Sequence, residues 1–89
     1  MGSFTVELTS AADKSLVPSR FCGGTIVRIE RGSYIVGSRS ISFLGDTWHF
    51  SLPISAVLSI RDQGGTALWL NPNHDEMQRR EILADVFGK

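Results

Sequence analysis

The chain has a single cysteine, three prolines and no excess of charge. Each shortage closes a route. Cys22 alone cannot form an internal disulfide and has no companion thiol for a zinc site, so nothing points to an oxidising compartment. Nine basic side chains balance nine acidic ones, which removes the bulk attraction to nucleic acid or anionic membrane that a strongly basic domain has. Binding of that kind would need a local patch. No apolar run approaches the roughly 18 to 20 residues of a spanning helix, and the N-terminus lacks the charged-then-apolar layout of a signal peptide. A soluble, cytoplasmic protein is expected.

What is present is ordinary for a globular chain, with 42% hydrophobic and 20% charged residues in 89 positions. Residues 1–89 read as one domain, short enough to bury only about 60 to 65% of its unfolded surface. Phe4, Val6 and Leu8 alternate with Thr5, Glu7 and Thr9, which predicts a half-buried strand over 4–9. Ser10 to Arg20, with Pro18, breaks the alternation and reads as the longest loop. A ribbon follows, with strands over 25–30 and 33–37 and a tight turn at Arg31-Gly32. That turn places Ile29 opposite Tyr34 and Val27 opposite Val36, with Arg28 and Ile35 on the reverse face. A longer connection with a bulge is the alternative, because Arg is disfavoured at the first position of a type I′ turn.

The stretch from Arg39 to Ile60 organises the rest. A turn at Gly45-Asp46, with Gly at the positive-φ position, predicts strands over 40–44 and 47–52, with Phe43 facing Trp48 and Ile41 facing Phe50. Ser42, Thr47, His49 and Ser51 then fall on the other face. Pro53 marks a strand break or an edge. Strands over 56–61 and 66–70 complete a set of seven, with Trp69 across its strand from Leu68 and Leu70. Asn73 and Glu76 resemble a capping box opening a helix over 74–87. Ile82, Leu83, Val86 and Phe87 give that helix an apolar face, and Gly88 can terminate it. A lone short helix is marginal in water, so we expect it to close the open end of the sheet.

Seven strands and a capped C-terminal helix resemble the pleckstrin-homology-like layout. Leu52-Pro53-Ile54, Val57 and Ile60, after ISFLGDTWHFS, are similar to a central segment of bacterial PH-like and GRAM domains. The resemblance covers about half the chain. It implies a mainly β fold, a bent sheet or small split barrel capped by the helix, serving as a non-catalytic adaptor for lipid headgroups or protein segments and prone to self-association. The basic run shared by lipid-binding members is not matched, since Lys14, Arg20, Arg28 and Arg31 are widely spaced with Asp13 and Glu30 among them.

Arg20, Arg28, Arg31 and Arg39 form the one regional charge bias, with Glu30 the sole acid between Arg20 and Arg39. Arginines hold phosphate or carboxylate bidentately, although solvated sheet arginines are the common case. Trp48 and Trp69 invite stacking or interface roles. Core packing suits Trp48, while Trp69 marks a partner surface if one face of its strand is uncovered. Cys22, His49 and His74, with Asp46 or Asp75 as orienters, have no spacing that supports nucleophilic catalysis or metal binding. Gly23-Gly24 and Gly64-Gly65 are turn glycines without phosphate-loop spacing. The expectation is a binding or assembly module and not an enzyme, without cofactor or metal, using Arg20, Arg28, Arg31, Arg39 and Trp69. Its partner would be a protein segment, a second copy of the chain or an anionic lipid headgroup. The alternative is a small barrel of the SH3 or Sm kind binding nucleic acid.

Overall fold

One strand, Ile26–Val36, is long enough to serve two neighbours, and the remaining strands are arranged around its bend. In the computed structural model, which describes residues 2–10, 12–21 and 24–87 and side chains as far as Leu83, the chain forms six antiparallel strands and a C-terminal helix. They are β1 (Gly2–Leu8), β2 (Ile26–Val36), β3 (Ser40–Leu44), β4 (His49–Pro53), β5 (Val57–Asp62), β6 (Ala67–Leu70) and α1 (His74–Phe87). Cys22, Gly23 and Gly88, and the side chains of Val86 and Phe87, lie outside the described residues.

The sheet runs β4-β3-β2-β1-β5-β6 and does not close. The first half of β2 pairs with β1, Ile29 opposite Phe4 and Val27 opposite Val6, while its second half pairs with β3, Tyr34 opposite Phe43. The expected strands 25–30 and 33–37 are therefore one strand, and the described residues form six strands instead of the expected seven. Arg31, at φ 57, is the pivot. Its left-handed backbone and the glycine after it bend the strand without reversing it. Gly32 is buried there, and a Cβ would stand 2.6 Å from the Ile29 methyl and 3.2 Å from the Trp48 ring.

The β3–β4 hairpin pairs Phe43 with Phe50, Ile41 with Leu52 and Leu44 with His49. The expected Phe43–Trp48 and Ile41–Phe50 pairs are off by two residues, because the turn tip is Asp46-Thr47 and Gly45 does not adopt a positive φ. An even shift leaves the paired side chains on their expected faces, while Thr47, expected in the strand over 47–52, lies in the turn and β4 begins at His49. Phe43 and Phe50 stack at 5.1 Å inside, while the Ser42 and Ser51 hydroxyls meet at 3.1 Å on the other face. Pro53 ends β4, an edge strand, where its missing N–H costs no ladder bond.

The core lies in the hollow of the bent sheet and contains Phe4, Val6, Leu8, Val27, Ile29, Ile41, Phe43, Phe50, Leu52, Val57 and Ile60. Among the described side chains it is the β1–β2 segment, and not the helix, that covers this cluster. The segment between β1 and β2, with short 3-10 turns at Lys14–Leu16 and Ser19–Phe21, drops Val17 into the cluster and packs Ala12 and Phe21 against it. The loop supplies three apolar groups, whereas α1 leaves Ile82 58% and Leu83 47% exposed. The helix meets β5 instead, where Leu58 is buried outside the central cluster. Its half-buried positions, His74, Met77 and Glu81, recur at helical spacing, and Glu81 accepts the Ser10 N–H at 2.9 Å. At the helix entry Asn71 replaces the expected Asn73–Glu76 box: its Oδ1 accepts the Asn73 amide and its carbonyl the His74 amide, while Glu76 pairs with Arg80.

Candidate functional site

Three strands place an arginine on each side of one threonine. Thr5 on β1 is opposite Arg28 of β2 and also opposite Arg61 of β5, so Arg28, Thr5 and Arg61 form a row across the sheet. A groove of about 350 Å³ runs over that row and is lined also by Ser3, Glu30, Asp62 and Gln63. On its other side Arg28 enters a second cleft with Arg20, Phe21, Glu30 and Trp48. Arg28 and Glu30 thus join two depressions into one surface.

Glu7 fixes one end of it. Its Oε1 accepts the Ser59 hydroxyl at 2.7 Å and Arg61 Nε at 3.2 Å, and Arg61 Nη1 donates to the Gly65 carbonyl at 3.1 Å. The Ser59 hydrogen bond, opposed by partial burial and helped by the charges of Arg61 and His74, holds the Glu7 carboxyl below its ordinary pKa. Ser59 is fully buried, so its hydroxyl serves Glu7 and not solvent. Asp62 is also committed, its Oδ1 accepting the amides of Gly64 and Thr66 at 2.9 Å each and closing the β5–β6 turn.

The second cleft is aromatic and basic. The Arg20 guanidinium lies 4.9 Å from the centre of the Phe21 ring, and Phe21 meets Trp48 edge-on at 4.8 Å. Trp48 continues to Phe50 at 5.9 Å, so the expectation of core packing for this indole holds in part, with one edge left to the cleft. Arg20 is carried there by the 3-10 turn Ser19–Phe21, which is anchored through Phe21.

The expected site residues do not assemble together. Arg20 and Arg28 share a cleft, while Arg31 stands at the bend of β2 and Arg39 in the β2–β3 connection, where its carbonyl accepts the Ile54 amide. Neither lines the two clefts just described. Trp69 is not a projecting indole. It pairs with Ile60 and packs half-buried against the core, while Leu68 and Leu70 are exposed large apolar residues of β6. A register shift between Ile60 and Arg61 interrupts the simple alternation, and Leu68 borders a cleft with Phe4 and Tyr34.

His49 is exposed on edge strand β4, opposite Leu44, and His74 begins α1, with Nδ1 3.6 Å from Asp75. They belong to different elements, β4 and α1. Among the described residues no group of three or more His, Cys, Asp or Glu side chains is placed to hold a metal ion. No described helix is long and apolar enough to cross a membrane. Sequence reasoning missed Arg61, Thr5 and Glu7 as site residues. Their signal is the β1–β5 register, which joins positions more than fifty residues apart. Comparison of the chain with family models, with curated proteins and with solved structures found no match.

Proposed function

We infer that the chain is a non-catalytic binding module that recognises an anionic ligand with the surface from Arg20 through Arg28 to Arg61. The observation that carries this reading is the position of Arg28, which lines two adjoining clefts and is in no ion pair among the described residues. A guanidinium left free beside backbone-anchored neighbours is suited to carboxylate or phosphate. With a formal net charge of zero, the attraction is local, so affinity depends on this surface and falls as salt screens it. The PH-like form and self-association belong to the same proposal, supported by the bent antiparallel sheet with its C-terminal helix and by the open edges at β4 and β6.

The second reading, a nucleic-acid-binding barrel of the SH3 or Sm kind, is favoured by two observations. Phe21 and Trp48 sit beside Arg20 and Arg28, a combination of stacking faces and cations. The strand order β4-β3-β2-β1-β5, with a 3-10 turn at Ile54–Ala56 before β5, also suits a small barrel. Titration with hexaglutamate and with a single-stranded oligonucleotide at low salt, on the wild type and on Arg28→Ala, separates the readings. Hexaglutamate binding lost in Arg28→Ala supports the first. Oligonucleotide binding with quenching of Trp48 supports the second. Failure of both titrations removes the surface from consideration.

A further inference from the structure

Resting on that reading, we propose that the groove between Arg28 and Arg61 takes a small soluble phosphomonoester that also carries an ammonium group. The row Arg28, Thr5, Arg61 spans two interstrand spacings, roughly 10 Å between the outer backbones, a distance two arginine side chains can close onto one tetrahedral anion. Arg61 is aimed in advance by Glu7 at Nε and by the Gly65 carbonyl at Nη1, and its Nη2 has no partner among the described residues. Arg28 is free of ion pairs there, and Ser3 and Thr5 add hydroxyl groups to the lining. A groove of about 350 Å³ accommodates a phosphate with a short substituent.

Glu30 decides what that substituent is. It lines the same groove and has neither an ion pair nor a side-chain hydrogen bond among the described residues, whereas the other lining carboxylate, Asp62, is taken up by its turn amides. A bare anion held by the arginines would leave Glu30 facing like charge. An ammonium on the same ligand pairs with it. Glu30 and Asp62 would equally meet the negative surface of an anionic bilayer, and the chain has no net positive charge to offset them, which favours a soluble ligand over a membrane.

The test compares three probes: phosphoethanolamine, ethyl phosphate, and phosphatidylcholine vesicles containing phosphatidylethanolamine, followed through the side-chain Nε resonances of Arg28 and Arg61. Phosphoethanolamine is expected to bind about threefold tighter than ethyl phosphate, the size of one exposed ion pair. Glu30→Gln should equalise the two, and Arg28→Ala, an exposed change that leaves the melting temperature in place, should weaken both by about tenfold. Equal affinity of the two soluble probes in the wild type overturns the proposal. So does vesicle binding without a response to the free compounds. If hexaglutamate binds through Arg28 while phosphoethanolamine does not, the ligand assignment falls and the wider reading stands; if neither binds, both fall.

Discussion

Trp48 lays its indole where a side chain at Gly45 would have to stand. A Cβ at Gly45 would overlap the indole nitrogen and its neighbouring ring carbons, and the same ring also approaches Gly32. Gly45 is therefore required for space and not for a special backbone angle, since its φ is not positive. Gly45→Ala is expected to destabilise the fold by about 1 to 3 kcal/mol, the usual cost of overpacking. Chemical denaturation followed by tryptophan fluorescence checks it, because displacement of the ring from Phe21 and Phe50 should also shift the emission.

Arg31 tests the bend of β2. At φ 57 it occupies a region that costs a residue with a Cβ roughly 1 kcal/mol, and its side chain is exposed. Arg31→Gly is expected to be neutral or stabilising by up to about 1 kcal/mol, and Arg31→Val destabilising by more than that. If Arg31 and Gly32 instead formed a tight turn between two separate strands, Ile29 and Tyr34 would be cross-strand neighbours. Amide contacts in solution should show Ile29 beside Phe4 and Tyr34 beside Phe43.

That distinction marks the limit of what the sequence discloses. Alternation places Phe4, Val6, Leu8, Ile41, Phe43, Phe50 and Leu52 on buried faces, and the helix spans the expected 74–87, although Asn71 caps it in place of the Asn73–Glu76 box. Arg31-Gly32 is legible as a departure from regular strand, but a turn and a bulge draw on the same residue types. What separates them is whether the strand's partner is the next segment or a distant one, here Phe4 on β1. The candidate site was half legible for the same reason. Arg20 and Arg28 stood out as charge bias, while Arg61 acquires meaning only once β5 lies beside Thr5.

The choice of lid can be measured directly. Val17 is buried in the core from a loop that shows no periodicity, whereas Ile82 and Leu83 belong to a periodic helix and are exposed. Val17→Ala should cost about 1 to 2 kcal/mol and Phe21→Ala about 2 to 4 kcal/mol, the latter reduced from a full core deletion by its partial exposure. Ile82→Ala and Leu83→Ala should each stay within about 0.5 kcal/mol. The opposite ranking in urea titrations would restore the helix as the closing element.

Glu7 gives the fold a dependence on pH whose sign is fixed by its surroundings. Its folded pKa lies below the ordinary carboxylate value, first because Ser59 donates to it and then through Arg61 and His74, against a penalty from burial. The folded state therefore favours the carboxylate. Its contribution is complete above the unfolded pKa and disappears as pH falls through the lowered folded value. Melting temperature should fall more steeply in the wild type than in Glu7→Gln as pH drops from about 6 to about 3, a comparison that cancels the other acids, including Asp13 with its own Ser15 bonds. Ser59→Ala removes the largest favourable cause, so carboxyl NMR titration of that variant should show the Glu7 pKa moving upward. The Nε resonance of Arg61 should change with it, because the same oxygen holds both donors. An unchanged Glu7 titration in Ser59→Ala would mean that Arg61 and His74 set the charge, and the groove's fixed end would then depend on Arg61 and not on the buried serine.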